Sequence, residues 1–220
     1  MALIRTRLDR ELVKLNESVL DMGGRAVQAF TAALMAFCDD DQNAANQVIA
    51  GDLTINDLRF RIERQCYALL AMEQPVAGDM RSIVAALTIS NELERIGDHG
   101  KRIARFCRRL AHEPRPIPLT DISEMGELAR EMVDRALNAY ARRDLALAKN
   151  VCLADDQVDA RYKQLFNVTL SYMLENPRAI GPGTYLIQVG HEIERVADRG
   201  TNIAERAIYA MTGELLELNL

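Results

Sequence analysis

The chain has 220 residues, of which 49 % are hydrophobic and 27 % are charged, and its formal net charge is −5 at pH 7. This length and apolar content suffice to bury a sizeable core, as one domain or two small ones, and argue against a disordered protein. Binding to a phosphate backbone usually requires an excess of basic residues, and this chain has none, which disfavours nucleic acid as a main partner.

Nearly the whole sequence has a residue pattern typical of helices. Six prolines, no tryptophan and long runs rich in Ala, Leu, Arg and Glu favour an all-α protein over one with sheets. Breaks are predicted at Pro75, at residues 176–183 and in the proline-rich stretch 111–120. Between the breaks, apolar residues recur at helical spacing. The pattern predicts six long helices, near 3–38, 43–72, 77–111, 121–142, 145–175 and 184–212.

The cysteines and the absence of a long apolar run indicate a soluble, cytoplasmic protein. Cys38, Cys66, Cys107 and Cys152 form no Cys-x-x-Cys pair, so neither a zinc ribbon nor a disulfide framework is predicted. No segment approaches the roughly 18 apolar residues that span a bilayer, and the N-terminus lacks the apolar centre of a signal peptide. We expect buried thiols in a reducing compartment.

An acidic motif occurs twice. Residues 92–98, with the sequence ELERIGD, return as residues 192–198, with the sequence EIERVAD. Each copy carries two acids four positions apart, which places both carboxylates on one face of a helix, where they repel each other. This repeated repulsion requires a cation or an arginine to offset it.

The repetition extends well beyond the acidic motif. Residues 22–52 match residues 125–155 at one constant separation, and residues 92–104 match residues 192–204 at another. Two copies of a three-helix unit therefore predict two tandem, pseudo-symmetric, antiparallel three-helix bundles. The expected domains are residues 1–111 and 121–220, joined by a proline-rich linker at 112–120.

Further polar residues are predicted to lie beside each acidic motif. If the second and third helices of each unit form an antiparallel hairpin, residues equidistant from the turn lie at the same level. The turns are predicted at Pro75 and between Asn176 and Pro177. The residues that share a level are then Asp52 with Asp98 and Asn56 with Glu94 in the first unit, and Asp155 with Asp198 and Asp159 with Glu194 in the second.

Carboxylates that face each other across two helices favour a cation with oxygen ligands, such as iron, manganese, magnesium or zinc. The alternative is that the acids face solvent and pair with arginines such as Arg95, Arg195 and Arg199. Repetition at matching levels favours the metal. A di-iron oxidase would need Glu-x-x-His pairs on facing helices, and neither His99 nor His191 completes one.

A basic stripe lies near the end of the third predicted helix. Lys101, Arg105 and Arg108 follow one another at helical spacing. Cations at this position interact favourably with a helix C-terminus, which explains the stripe without a partner. The alternative is a docking surface for an acidic partner.

In its acidic motifs at 94–98 and 194–198, its Asp-rich segments at Asp52 and 155–159 and its duplicated helical layout, the chain resembles the PhoU family of phosphate-transport regulators. The resemblance covers nearly the whole chain. It implies metal clusters on the acidic faces, frequent dimers, and negative regulation of high-affinity phosphate uptake and phosphate-starvation signalling at the membrane. The implied partners are the ATPase subunit of a phosphate ABC transporter and a phosphate-sensing histidine kinase.

The resemblance also implies the metal ligands, unevenly between the two units. In the first unit, Asn56 stands in the place of Asp159, and Arg102 in the place of Asn202. We therefore expect the first site to hold metal more weakly, or to be partly neutralised by Arg102. The implied ligands are Asp155, Asp159, Glu194, Asp198 and Asn202 in the second unit and Asp52, Asn56, Glu94 and Asp98 in the first.

Two classes of function remain open at this point. As an adaptor, the protein would act through reversible protein contacts and would have no turnover. As a carboxylate-bridged metalloenzyme, it would use bound metals for redox or hydrolytic chemistry. The missing Glu-x-x-His pairs and the lack of a general base outside the acidic faces favour the adaptor.

Overall fold

The computed structural model describes residues 2–111, 113, 118–152 and 154–216, with side chains described from residue 7 onward except at Cys152. These residues form helices and no strand, which confirms the predicted all-α class. The helices are α1 (Ala2–Asp39), α2 (Gln42–Met72), α3 (Ala77–Arg109), α4 (Thr120–Arg142), α5 (Leu145–Cys152), α6 (Asp155–Glu175) and α7 (Ile180–Thr212), with a 3-10 turn at Pro177–Ala179 before α7.

Two predicted helix boundaries were wrong. The segment predicted as one helix over 145–175 comprises two helices, α5 and α6. Ala154 lies in a turn between them, and its N–H donates to the Val151 carbonyl at 3.0 Å. Helix α7 begins at Ile180 rather than near 184 and includes Pro182. A proline in the first helical turn is tolerated because its missing N–H would have had no partner within the helix.

Equivalent aspartates start equivalent helices in the two halves. The Asp41 carboxylate accepts hydrogen bonds from the backbone N–H groups of Asn43 at 2.9 Å and Ala44 at 3.0 Å, and so caps α2. In the second half, the Asp144 carboxylate accepts from the N–H of Leu147 at 2.9 Å at the start of α5. Each side chain satisfies N–H groups that the first turn of a helix leaves unpaired.

Each half of the chain is a bundle, as predicted. Helices α1, α2 and α3 pack against one another, and α4 packs against α5, α6 and α7. The halves meet through α3 against α7 and α1 against α4, and their buried side chains form one continuous hydrophobic core. Part of the predicted linker, His112 and residues 114–117, lies outside the described residues.

Both hairpins have the predicted register. In the first, Arg59 Nη1 on α2 donates to Asn91 Oδ1 on α3 at 3.2 Å, and these two residues are equidistant from Pro75. In the second, the rings of Tyr162 on α6 and His191 on α7 lie 6.1 Å apart, and these residues are equidistant from the turn at 176–177. The acids predicted to share a level are therefore on facing helices.

The halves are related by an internal pseudo-two-fold axis. A Cβ atom built on Gly23 of α1 would collide with Leu137 of α4, and one built on Gly126 of α4 would collide with Leu34 of α1. These two contacts exchange equivalent residues of the repeat, since Gly23 matches Gly126 and Leu34 matches Leu137. Glycine at both positions lets the facing leucine reach the helix backbone.

Reciprocal polar contacts link α3 to α7 on either side of this axis. Glu92 of α3 accepts hydrogen bonds from Arg199 Nη1 at 3.0 Å and Asn202 Nδ2 at 3.1 Å, both on α7. The side chains of Glu92 and Arg199 are only 14 % and 11 % exposed. Each half therefore supplies charge that the other half must neutralise.

Glu192 of α7 makes the equivalent contacts with α3. Its Oε2 lies 2.6 Å from His99 Nδ1 and 3.3 Å from Arg102 Nη1. Burial acts to raise the pKa of Glu192, but the hydrogen bond and charge of His99, with those of Arg102, outweigh it and lower the pKa. Glu192 is thus held in its charged form at the centre of the interface.

We predict that Gly100→Ala destabilises the protein. A Cβ on Gly100 would lie 3.1 Å from Phe30 Cα and 3.3 Å from Phe30 N, and backbone cannot yield as a side chain can. The free energy of unfolding should fall by about 1–2 kcal/mol in urea denaturation. Gly24→Ala is the control, because no atom outside the neighbouring backbone of its own helix lies within 4 Å of the added methyl group; it should raise stability by about 0.5–1 kcal/mol. A destabilised Gly24→Ala variant would contradict this packing account.

We also predict that the α3–α7 contacts are coupled. Arg199→Met should lower the free energy of unfolding by about 2–4 kcal/mol, because it leaves the Glu92 carboxylate buried without its cation. Adding Glu92→Gln should recover much of that loss, and a double-mutant cycle in urea measures the coupling. Arg25→Met, which breaks an exposed pair with Asp21, should cost less than about 1 kcal/mol. Additive effects of the two substitutions would show that Glu92 and Arg199 are not coupled.

Candidate functional site

The acidic face of the second unit is formed by α6 and α7. Asp155 and Asp159 lie one turn apart on α6, and Glu194 and Asp198 lie one turn apart on α7. Neighbouring apolar residues on α7, Ile193 and Val196, are fully buried and fix the rotation of this helix. All four acids are half-buried at the edge of the hairpin.

The four carboxylates of this face lie close enough to repel one another. Burial, followed by the charges of Asp198, Asp159 and Glu194, raises the pKa of Asp155 to about 6. The pKa of Glu194 is raised by burial and by Asp198, and the pKa of Asp198 is raised mainly by burial. Without a bound cation, the negative charges of this face therefore repel one another.

Basic side chains compensate only part of that charge. His191 Nδ1 lies 2.9 Å from Glu194 Oε2, whereas the nearest guanidinium nitrogens of Arg195 and Arg199 both lie 3.8 Å from Asp198 Oδ2. Within the described parts of the chain, no basic side chain forms an ion pair with Asp155 or Asp159. An alternative role for Asp155 is to stabilise α6, since an acid in the first turn interacts favourably with the helix dipole.

The first unit is built differently. Asp52 of α2 is buried, and Lys101 Nζ of α3 lies 2.5 Å from its Oδ2 atom. Asn56 Nδ2 donates to the same oxygen at 3.3 Å. The expectation that Arg102 neutralises this face was wrong, because Arg102 contacts Glu192 of α7. Neighbouring residues of a helix point about 100° apart, so when Lys101 faces α2, Arg102 faces α7.

Glu94 and Asp98 lie half-buried on α3, on the same side of the hairpin as Asp52. Burial and the charge of Asp98 raise the pKa of Glu94, and the charge of Arg59 opposes them. The remaining implied ligand, Asn202, has its amide bonded to Glu92 at the α3–α7 interface. The structure thus brings together the four carboxylates of the second unit and places Asn202 with the other half of the chain.

Metal binding stays a prediction. Among residues 2–111, 113, 118–152 and 154–216, no three His, Cys, Asp or Glu side chains lie close enough together to hold a metal ion as they stand. The donor chemistry nevertheless differs between the faces. The second face offers carboxylate oxygens that repel one another, which fits a hard cation, whereas the most buried carboxylate of the first face is already bound to an ammonium group.

Sequence reasoning missed three polar roles. Glu92 and Glu192 recur within the repeated motif, but one sequence does not show that each contacts the opposite half. Lys101 was assigned to a basic stripe, whereas in the structure only Arg105 and Arg108 of that stripe are exposed. The repeat contained a signal for the role of Lys101, because the equivalent residue in the second unit is the uncharged Thr201.

No helix in the described residues is both long enough and apolar enough to cross a bilayer.

Comparison with known proteins identifies the family. The profile of the PhoU domain matches residues 19–107 and again residues 122–207. The phosphate-specific transport system accessory protein PhoU homolog of Clostridium acetobutylicum is 36 % identical over 216 residues, which cover 98 % of this chain and 99 % of that protein. The homolog of Aquifex aeolicus is 38 % identical over 211 residues, 96 % of each chain.

Solved structures agree with the sequence comparison. The crystal structure of PhoU from Pseudomonas aeruginosa superposes with a TM-score of 0.90 at 34 % identity and covers 94 % of this chain and 99 % of that one. The phosphate transport system regulatory protein PhoU from Streptococcus pneumoniae gives 0.90 at 30 % identity, over 96 % and 99 % of the two chains. With two matched repeats and relatives of the same length and fold, this chain belongs to the PhoU family.

Proposed function

We propose that this protein is a regulatory adaptor that restrains high-affinity phosphate uptake and phosphate-starvation signalling when phosphate is abundant. The observation that carries the proposal is the full-length match to proteins named as accessory or regulatory components of phosphate transport. In this role, the protein couples the ATPase subunit of a phosphate ABC transporter to a phosphate-sensing histidine kinase and catalyses no reaction itself.

The location and assembly follow from the same role. The protein acts in the cytoplasm and reaches the membrane through its partners, and it functions as a homodimer without nucleic acid. The acidic composition and the family resemblance support this view.

We further propose that the acidic face of the second unit binds a cation, which is iron, zinc, manganese or magnesium. A bound cation supplies positive charge between α6 and α7. Asp155 and Asp159 would hold it from α6, and Glu194 and Asp198 from α7. The mutual repulsion of these carboxylates supports the proposal, because a cation removes the cost of placing them together.

The regulatory role predicts a derepressed deletion strain. Removing the protein should leave high-affinity uptake genes expressed in abundant phosphate, because the protein that reports sufficiency is missing. Transcript levels and phosphate uptake in rich and poor medium measure this effect, and the wild-type gene supplied in trans is the control. Normal repression in the deletion strain, together with metal-dependent turnover by the pure protein, would favour an enzyme instead.

The metal proposal predicts opposite effects of one double variant with and without metal. Asp155→Asn with Asp198→Asn should abolish binding to the second face. In chelator, the same variant should be more stable than wild type by about 1 kcal/mol, because it removes repulsion between groups that are half-exposed and screened by solvent. Elemental analysis and thermal unfolding measure the two effects.

The matched control is Glu175→Gln with Glu214→Gln, which removes the same two charges from exposed positions. It should change neither metal content nor the stabilisation that metal confers. Wild-type protein whose unfolding is the same in chelator and in excess metal would leave the acids as a solvated face.

A further inference from the structure

We propose that the ammonium group of Lys101 permanently occupies the cation position of the first acidic face, so that this chain binds metal on its second unit only. The inference rests on the proposed metal binding of the second unit. It is carried by the contact between Lys101 and Asp52, which has no counterpart among the described residues of the other half.

The first face is closed by a short charged contact. Lys101 Nζ lies 2.5 Å from Asp52 Oδ2, and the Asp52 side chain is only 3 % exposed. The same oxygen accepts a second hydrogen bond from Asn56 Nδ2 at 3.3 Å. Charge-assisted hydrogen bonds are among the strongest in proteins, and both act on the most buried carboxylate of this face.

The second face has no equivalent of this lysine. In the repeat, Thr201 is equivalent to Lys101, and Asp155 is equivalent to Asp52. Thr201 is fully buried, its hydroxyl oxygen has no hydrogen-bond partner among the described residues, and its side chain carries no charge. Asp159 replaces Asn56 and adds a fourth carboxylate. At these two pairs of equivalent positions, the first face has an additional ammonium group and the second face has an additional carboxylate, and both differences favour a metal on the second face.

Charge and burial explain why a metal does not displace the lysine. A metal ion on the first face would have to separate Asp52 from Lys101 and leave a cation beside it in a partly buried hairpin, and breaking a buried pair on one side is strongly unfavourable. Arg59, whose charge opposes the rise in the pKa of Glu94, adds further repulsion. The buried aspartate of the first unit is thus paired without metal, and the second unit responds to metal.

The experiment exchanges the key residues between the two faces. Binding of Mn²⁺ and, separately, of Zn²⁺ is measured by equilibrium dialysis and elemental analysis. Wild-type protein should lose all bound metal on Asp155→Asn with Asp198→Asn and none on Asp52→Asn. Lys101→Thr with Asn56→Asp, which copies the second face onto the first, should at least double the bound metal. Thr201→Lys should abolish binding to the second face.

Two controls make the comparison specific. Arg105→Thr removes one positive charge from the exposed surface of the same helix and should leave metal binding unchanged. Without metal, Lys101→Met should lower the melting temperature by roughly 5–10 °C, and adding Asp52→Asn should restore most of it, because the pair is then replaced by neutral groups. Loss of stability that Asp52→Asn does not restore would overturn the proposed ion pair.

The remaining outcomes separate the inference from the proposed function. If the Asp155 and Asp198 double variant keeps about half of the metal and Asp52→Asn removes the other half, both faces bind and the inference is overturned, while metal binding stands. If the Lys101→Thr, Asn56→Asp variant binds no more than wild type, Lys101 is not the excluding group. Absence of metal from every variant would overturn the inference and the metal part of the proposed function together.

Discussion

The buried charges between α3 and α7 constrain the whole arrangement of the two halves. Glu92 and Glu192 are largely removed from solvent, and among the described residues each pairs with basic side chains of the opposite half. A carboxylate buried without a partner costs several kcal/mol, so neither half satisfies its own glutamate alone. The contacts are reciprocal because Glu92 and Glu192 are equivalent residues of the repeat, related by the pseudo-two-fold axis.

The close packing between helices also repeats across the pseudo-two-fold axis. The contacts of α1 with α4 are made where a glycine of one half receives a leucine of the other, and a side chain at either glycine would force the helices apart. Gly100 and Gly200 serve the same purpose within the halves, where α3 and α7 approach the backbones of α1 and α4. Polar pairing fixes the register of α3 on α7, and small residues set the distance between helices.

Duplication placed the two acidic faces at equivalent positions, but the two faces carry different charge. Two pairs of equivalent residues produce this difference. Lys101 pairs with the aspartate of the neighbouring helix, whereas the equivalent Thr201 carries no charge. Asp159 adds a carboxylate to the second face where the first face has Asn56. A repeated backbone thus presents one face whose buried aspartate is paired with an ammonium group and one face whose carboxylates repel one another.

The sequence by itself determined the all-α class, the duplication, both hairpin turns and their register, since these depend on helical periodicity, prolines and spacing along one chain. It also singled out the four acids of the second face, because level positions in a hairpin follow from distance to the turn. It missed the start of α7, where a proline was taken as a break although the first helical turn accepts one.

Only the tertiary structure decided which face of α3 each cation serves. Lys101 and Arg102 are adjacent in sequence, and periodicity alone does not show which one meets α2 and which meets α7. Asn202 and the two glutamates at 92 and 192 likewise found their partners across the halves. Contacts between helices that are distant in sequence depend on how the two bundles rotate against each other, which is set by the buried packing of the entire core.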